Sequence, residues 1–574
     1  MKVLLLHPEH SPLAGPWAGQ RWDLIVDLGR SSPFTSARWS EQAGCPILRL
    51  DSFRNGVSNA RQVKQLFAAG RGLLVDQLGL DWWEIVSLYF VPQAEVVVTL
   101  QSVCREVNTS SELWATRAGW PSSVLASLLN RTVRNFARSA NPISARARRY
   151  ANLVRHFSPA QIQEIFLDKY DPGYRWRARA RRRRAPMQSP VVLVPTAYEN
   201  VSRMAADYAR LAPDQQFLFV STRRRGSLFD APPNVQLRQL SDYAVSEVSP
   251  EAGPLVERWA TLQSSLGSSP EYRALRDSAV FADFEPWIID GLSVRDAWAN
   301  VLANEPVCSV LCGDDSNSYT RIPMLLAARR GLPTLDFHHG ALDGFYLVKD
   351  LDCSLYLAKS EMERDYLTRV CGLPSERLAL AAPRQPTTEV ADRSRANTVV
   401  LFSEPYEVSG ARCHEVYAEL LPPLARLARR QGGHVIVKLH PFESASARSA
   451  IIRSVLPAAD QALFTVKEGP LTPSLLEQTW CGVTVESSVV LDCTLNHVPC
   501  FLCEWLANPV FGYVAQFTRF GVGSPLRSAA EIEQIPELLL RQNADATLQP
   551  LLAPATPAEF AHWLASGARD CSPR

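Results

Sequence analysis

No run of about 18 uninterrupted apolar residues occurs in the 574 residues, so the sequence predicts no membrane-spanning helix. An export signal is equally lacking. Met1-Lys2-Val3-Leu4-Leu5-Leu6 is too short for an apolar signal core and runs straight into His7-Pro8-Glu9, so a cytoplasmic protein is expected. Charge of one sign is scarce as well: 60 Lys and Arg face 58 Asp and Glu, a formal net charge of +2. Nothing in that balance points to nucleic acid as a partner. The 12 cysteines form no framework. They are scattered singly over a long chain, which favours buried, reduced thiols over disulfides. In Cys500-x-x-Cys503 the odd separation puts the side chains on opposite faces of a strand. Cys308 and Cys312 share a face but stand about 13 Å apart at strand rise. No metal site is expected, and no repeat of about 20–50 residues suggests a solenoid or propeller.

What is present is ordinary globular composition: 46% hydrophobic and 21% charged residues, with 41 prolines implying many loops. The length calls for two or three lobes. The basic charge is segregated. From Arg131 to Arg184 there are fifteen Lys or Arg against Glu164, Asp168 and Asp171, and the stretch ends in a ten-residue Arg-rich segment, Arg175 to Arg184. A solvated linker explains such a run, and so does a surface that meets anionic lipid headgroups or a lipid-linked, phosphate-bearing acceptor. An RNA surface is the weaker reading, because no recognition motif or stacking pattern accompanies it.

Short apolar runs alternating with helical spacing predict an open α/β fold. Strands are expected at Lys2 to Leu6, Trp22 to Leu28 and Pro46 to Leu50. A helical, basic insertion is expected at about 59–185. The α/β rhythm then resumes with Val191 to Val194, Gln216 to Ser221, Cys308 to Cys312 and Pro333 to Phe337. A proline-bearing, aperiodic stretch from Ala381 to Asp392 marks the expected linker. The architecture predicted is α/β with two Rossmann-like, doubly wound lobes, 1–394 and 395–574, facing a cleft.

In such sheets ligands bind beyond the carboxyl ends of the strands. His434-Val-Ile-Val-Lys438-Leu439-His440-Pro441 reads as a buried strand ending in a histidine, with Lys438 on the same face as His440. Glu486-Ser487-Ser488 reads as a strand end followed by a helix start, where free N–H groups and a serine hydroxyl suit a phosphate. Ser403 ends the lobe's first strand. Each motif alone is common; both in one lobe, about 45 residues apart, read as a phosphate grip. In the first lobe, Asp314-Asp315 follows a strand, and His338-His339-Gly340 follows the next one. Both pairs also fit ordinary turn and helix-capping chemistry.

The chain resembles GT-B glycosyltransferases of bacterial surface or capsular polysaccharide synthesis. Lys438-Leu439-His440-Pro441 resembles the His-Pro motif, and Ser487-Ser488 the Ser-Ser motif, of the CMP-sugar (sialyl- and Kdo-) transferases. CDP-glycerol-type phosphotransferases carry a similar pair. The resemblance implies the GT-B fold and a metal-independent sugar transfer from a nucleotide-sugar. The acceptor would be a polysaccharide or lipid-linked molecule, and the protein would lie in the cytoplasm or peripherally at the inner membrane. It further implies no cofactor beyond the donor itself, held by Lys438, His440, Glu486, Ser487, Ser488 and Ser403. The family's acidic pair followed by glycine is missing: Gly313 precedes Asp314-Asp315 rather than following it. The base is therefore sought among Asp315, Asp314, His339 and Glu9, with His7, His338 and Gly340 on the acceptor side. Rival readings are a polyol phosphotransferase using the same grip, and a non-catalytic GT-B-like component of an assembly complex.

Overall fold

The computed structural model describes residues 1–54, 56–107, 111–136, 185–223, 229–244, 249–278, 281, 284–313, 315–316, 318–383, 396–408, 410–542 and 552–567. The Arg-rich segment 175–184 and Asp314 lie outside them. Three sheets carry the fold, every strand pair in them parallel.

The first sheet has β1 (Lys2–Leu6), β2 (Leu24–Asp27), β3 (Ile47–Arg49), β4 (Glu112–Ala115) and β5 (Val133–Asn135), in the order β3-β2-β1-β4-β5. β1 is the middle strand, and Val3 to Leu6 are wholly buried, as a strand covered on both faces requires. The helix α1 (Pro33–Ala43) follows β2. The Ser32 side chain accepts from the Thr35 N–H, Pro33 occupies the first turn, and Gly44 ends the helix at φ 66°.

The second sheet contains β6 (Val191–Thr196), β7 (Gln216–Ser221), β8 (Val235–Gln239), β9 (Val307–Cys312), β10 (Thr334–Asp336), β11 (Leu355–Ala358) and β12 (Leu378–Leu380). Their order is β12-β11-β10-β9-β6-β7-β8. The third has β13 (Thr398–Phe402), β14 (His434–Lys438), β15 (Phe464–Lys467), β16 (Thr479–Thr484), β17 (Cys500–Cys503) and β18 (Ser524–Leu526), in the order β15-β14-β13-β16-β17-β18. Numbered from its own first strand, each sheet runs 3-2-1-4-5 and onward. That is the doubly wound order, whose switch point lies between strands 1 and 4. The expected doubly wound α/β architecture is observed, with two such sheets where one N-terminal lobe was expected.

By contact the chain divides into two compact units: 1–59, 96–159 and 386–549 form one, and 60–95, 160–385 and 550–574 the other. The first and third sheets belong to the first unit, the second sheet to the second. Two expectations change. The segment 59–185, expected to be a helical insertion, contains β4 and β5, which extend the first sheet beyond β1. Those strands have only four and three residues, too few for a period-2 pattern to stand out. The chain's end, expected in the C-terminal lobe, instead packs with the second sheet. There a helix (Pro557–Ser566) places Phe560, Trp563 and Leu564 in the core beside Tyr208 and Phe337.

The 22-residue helix Trp82–Val103 is long and apolar enough to cross a membrane, which the uninterrupted-run test missed, but it is largely buried inside the structure. Trp82 and Trp83 are fully buried at its start. No disulfide joins any of the described cysteines.

In the third sheet Val399, Leu401, Val435, Val437, Cys481 and Val483 project from three adjacent strands onto one face. They meet Leu420, Leu421 and Leu424 of the long helix Cys413–Gln431. Each buried leucine of this kind is worth about 1.5–3 kcal/mol. Just before that helix, Arg412 joins the first and third sheets. Its Nε donates to Asp27 at 3.1 Å, and its amino groups donate to the carbonyls of Pro8 (2.7 Å), His10 (2.6 Å) and His7 (3.2 Å).

Candidate active site

β14, β13 and β16 are neighbours, so their carboxyl ends bring His440, Ser403-Glu404 and Glu486-Ser487-Ser488 to one edge, around the switch point between β13 and β16. Two acidic side chains tie the motifs together. Ser403 donates to Glu443 Oε1 at 2.7 Å, and Glu443 Oε2 accepts from the His440 N–H at 2.8 Å. Glu404, the next residue, turns the other way. Its Oε1 accepts from Thr484 Oγ1 (2.9 Å), the Val485 N–H (3.1 Å) and the Glu486 N–H (2.8 Å). One residue pair at the end of β13 thus braces the His-Pro loop on one side and the Ser-Ser turn on the other. Neither Glu404 nor Glu443 was singled out from the sequence. Their partners come from other strands, and spacing along one strand cannot show them.

The brace has a chemical consequence. Amides at a strand-to-helix turn are natural anion ligands, but here three donors of the 484–486 turn already hold the Glu404 carboxylate. Glu486 lies half-buried beside it and accepts from the Asn508 N–H at 3.0 Å. Burial, then the Glu404 charge, push the Glu486 carboxyl up to about 8. It is therefore largely protonated at neutral pH and can donate. Ser487 Oγ sits 3.4 Å from the Val489 N–H, and Ser488 is exposed at the start of the helix Val489–Leu495 with no side-chain capping bond.

His440 is half-buried, and its Nδ1 accepts from the Phe442 N–H at 3.2 Å. That bond places the ring proton on Nε2. Burial, with Lys438 adding to it, lowers the imidazole to about 4, so at neutral pH His440 is an uncharged ring whose Nε2–H is a donor. Lys438, expected at the donor phosphate, is engaged by backbone carbonyls. Its ammonium is buried and donates to the carbonyls of Leu439 (2.9 Å) and Gly469 (2.5 Å). Ser403 is likewise committed, to Glu443 and to the Tyr417 hydroxyl at 2.7 Å. Both groups are engaged within the chain.

The candidates for a base lie on two other sheets. Asp315, just beyond β9, is 1% exposed. It accepts from Arg321 at 2.6 Å and pairs with Lys349, whose ammonium also lies 3.4 Å from Asp343. A carboxylate saturated by two buried cations is poorly placed to take a proton from a substrate. Burial, then Asp315, push the nearby Asp336 well above the carboxylate range; its Oδ2 accepts from Tyr346 at 2.7 Å. His338 is lowered to about 3 by burial and Lys359, and its ring lies 4.6 Å from that of His339. Gly340, half-buried, follows in the same turn.

His7 and Glu9 belong to the first sheet, apart from the sheet of Asp315 and His339. His7 is 1% exposed, with Nε2 at 3.2 Å from Ser122 Oγ; burial and Arg117 lower it to about 4. Glu9 pairs with Arg117. Burial raises its carboxyl, but its own backbone N–H and Arg117 outweigh this and hold it below the ordinary value.

No protein-family model matches the chain, and no curated protein matches it. Among solved structures, the calicheamicin glycosyltransferase CalG4 is 14% identical over 67% of this chain and 96% of its own, with a TM-score of 0.35. The UDP-GlcNAc 2-epimerase of Methanocaldococcus jannaschii, solved with UDP-GlcNAc and UDP, is 10% identical over 66% of this chain and 99% of its own, with a TM-score of 0.40. The wall teichoic acid polymerase TagF is 9% identical over 75% and 95%, with a TM-score of 0.36.

Proposed function

We propose that the chain is a glycosyltransferase that takes a sugar from a nucleotide donor at the carboxyl edge of its third sheet and passes it to a polysaccharide or lipid-linked acceptor. The observation that carries this reading is the double brace of Ser403-Glu404, which fixes the His440 loop and the Glu486–Ser488 turn on the two sides of a switch point. Three kinds of neutral donor face that edge: the Nε2–H of His440, the protonated carboxyl of Glu486 and the hydroxyls of Ser487 and Ser488. As the bond from sugar to phosphate breaks, negative charge grows on the departing phosphate, and donors already fixed in place stabilise it with little reorganisation. Glu486 also has a proton to give to that oxygen.

The test is incubation with CMP-, CDP-, UDP- and GDP-linked donors, reading free nucleotide and product. A glycoside as product supports sugar transfer; a phosphodiester assigns the same donor set to polyol phosphate transfer instead. In a protein that unfolds like wild type, His440→Ala is expected to weaken nucleotide binding by about tenfold or more, the loss of one strong hydrogen bond. A silent panel, or unchanged binding in His440→Ala, overturns the proposal.

A further inference from the structure

The loop that carries His440 also carries an aromatic ring that none of the assigned roles uses. Phe442 is 61% exposed, two residues beyond His440 and at the same sheet edge. Its ring centroid lies 5.0 Å from that of His440, with the planes tilted by 59°, so the imidazole does not cover a full face of the phenyl ring. The backbone N–H of the same residue donates to His440 Nδ1. Phe442 therefore performs a polar task through its backbone and shows its apolar face to solvent. On the loop after the neighbouring strand β13, Val408 is 79% exposed, so a second apolar group stands at this otherwise polar edge.

We propose that Phe442 is the platform on which the base of the nucleotide donor stacks, a positioning role that rests on the donor reading above. A nucleotide separates its flat base from its first phosphate by a single ribose. The loop presents a matching pair, an aromatic face and an N–H donor, two residues apart. Every base has a π-face, so the ring adds affinity for the nucleotide while leaving the choice of base to other groups.

The full chain and its Phe442→Ala and Phe442→Trp variants are titrated with CMP, CDP, UDP, GDP, sugar-linked forms of each and inorganic phosphate, and their thermal unfolding is compared. Phe442→Ala is expected to raise the Kd of whichever nucleotide the wild type binds by about tenfold, as loss of one base–aromatic stack does. Phosphate binding and the unfolding temperature should stay as in wild type, and Phe442→Trp should restore nucleotide affinity. Equal nucleotide affinity in wild type and Phe442→Ala overturns the inference while the donor reading stands. So does an equal loss for phosphate, which marks collapse of the loop, or a loss seen only with sugar-linked donors, which marks the ring as a sugar contact. A wild type that binds none of the four nucleotides, free or sugar-linked, removes the donor reading and this inference together.

Discussion

The second and third sheets share one strand order, and each delivers charged residues to the carboxyl ends of its central strands, yet the two edges are built for different ends. At the second sheet the charges are spent on one another. Asp315, Asp343, Arg321 and Lys349 are all buried and interlocked, and burial with the Asp315 charge raises the neighbouring Asp336 carboxyl. At the third sheet two acids, the half-buried Glu404 and the buried Glu443, hold backbone and hydroxyl groups. His440, Ser487 and Ser488 lie beside them on that edge, half-buried or exposed and without a charge of their own. Topology puts a crevice at both switch points; the commitments of the side chains decide which one has hydrogen bonds left to offer.

The sharpest way to break this contrast is Lys349→Met. If the second edge is structural, removing one cation leaves Asp315 under-compensated in the interior and costs about 3–5 kcal/mol, read as a fall in the urea midpoint. Near wild-type stability with loss of transfer would reverse the assignment of the two edges. Glu404→Gln should cost less, about 1–3 kcal/mol, because one carboxylate holds three donors. It should also lower the titration of Glu486, seen by carbon NMR of labelled glutamate, since the Glu404 charge helps to raise it.

Glu486 gives a pH-resolved prediction. Its carboxyl goes from an ordinary 4.5 to about 8 on folding. Between those values the folded chain keeps a proton that the unfolded chain releases, so this group makes stability fall as pH rises through the window and leaves it level on either side. Glu486→Gln abolishes that slope; its stability relative to wild type should grow between the acid and alkaline ends of the window. Ser488→Ala is expected to change stability least, by under about 0.5 kcal/mol, since the exposed hydroxyl makes no capping bond. It should still weaken nucleotide binding measurably, and an unchanged Kd would remove Ser488 from the site.

Much of this was legible in the sequence where one strand suffices to make the point. β1, β6, β9, β13 and β14 read directly as apolar runs, and the position of His440, Ser487 and Ser488 at strand ends followed from the same runs. What a partner elsewhere decides was not legible. Period-2 spacing put Lys438 on the face of His440, but the carbonyl of Gly469, 31 residues on, takes its ammonium. Asp315 stood at a strand end, as a base would, yet Lys349, 34 residues later, neutralises it. Nothing near Glu404 in the sequence marks it, because the 484–486 turn whose donors it accepts lies 80 to 82 residues away.

The bond between Arg412 and Asp27 spans 385 residues of chain, and the compact unit that contains it draws on three separated stretches, 1–59, 96–159 and 386–549. On a ribosome the first sheet is made at the outset, but the guanidinium that takes its Asp27 carboxylate and the carbonyls of Pro8 and His10 emerges hundreds of residues later. Synthesis at about 5–20 residues per second sets that delay at some tens of seconds. During it the edge of the first sheet is without its cation, and closing so distant a contact is slow. A nascent chain halted before residue 412 should therefore leave both units open to protease, the first without its third sheet and the second without the helix Pro557–Ser566. Expression of this protein should depend more than most on chaperones that wait for a late-arriving partner.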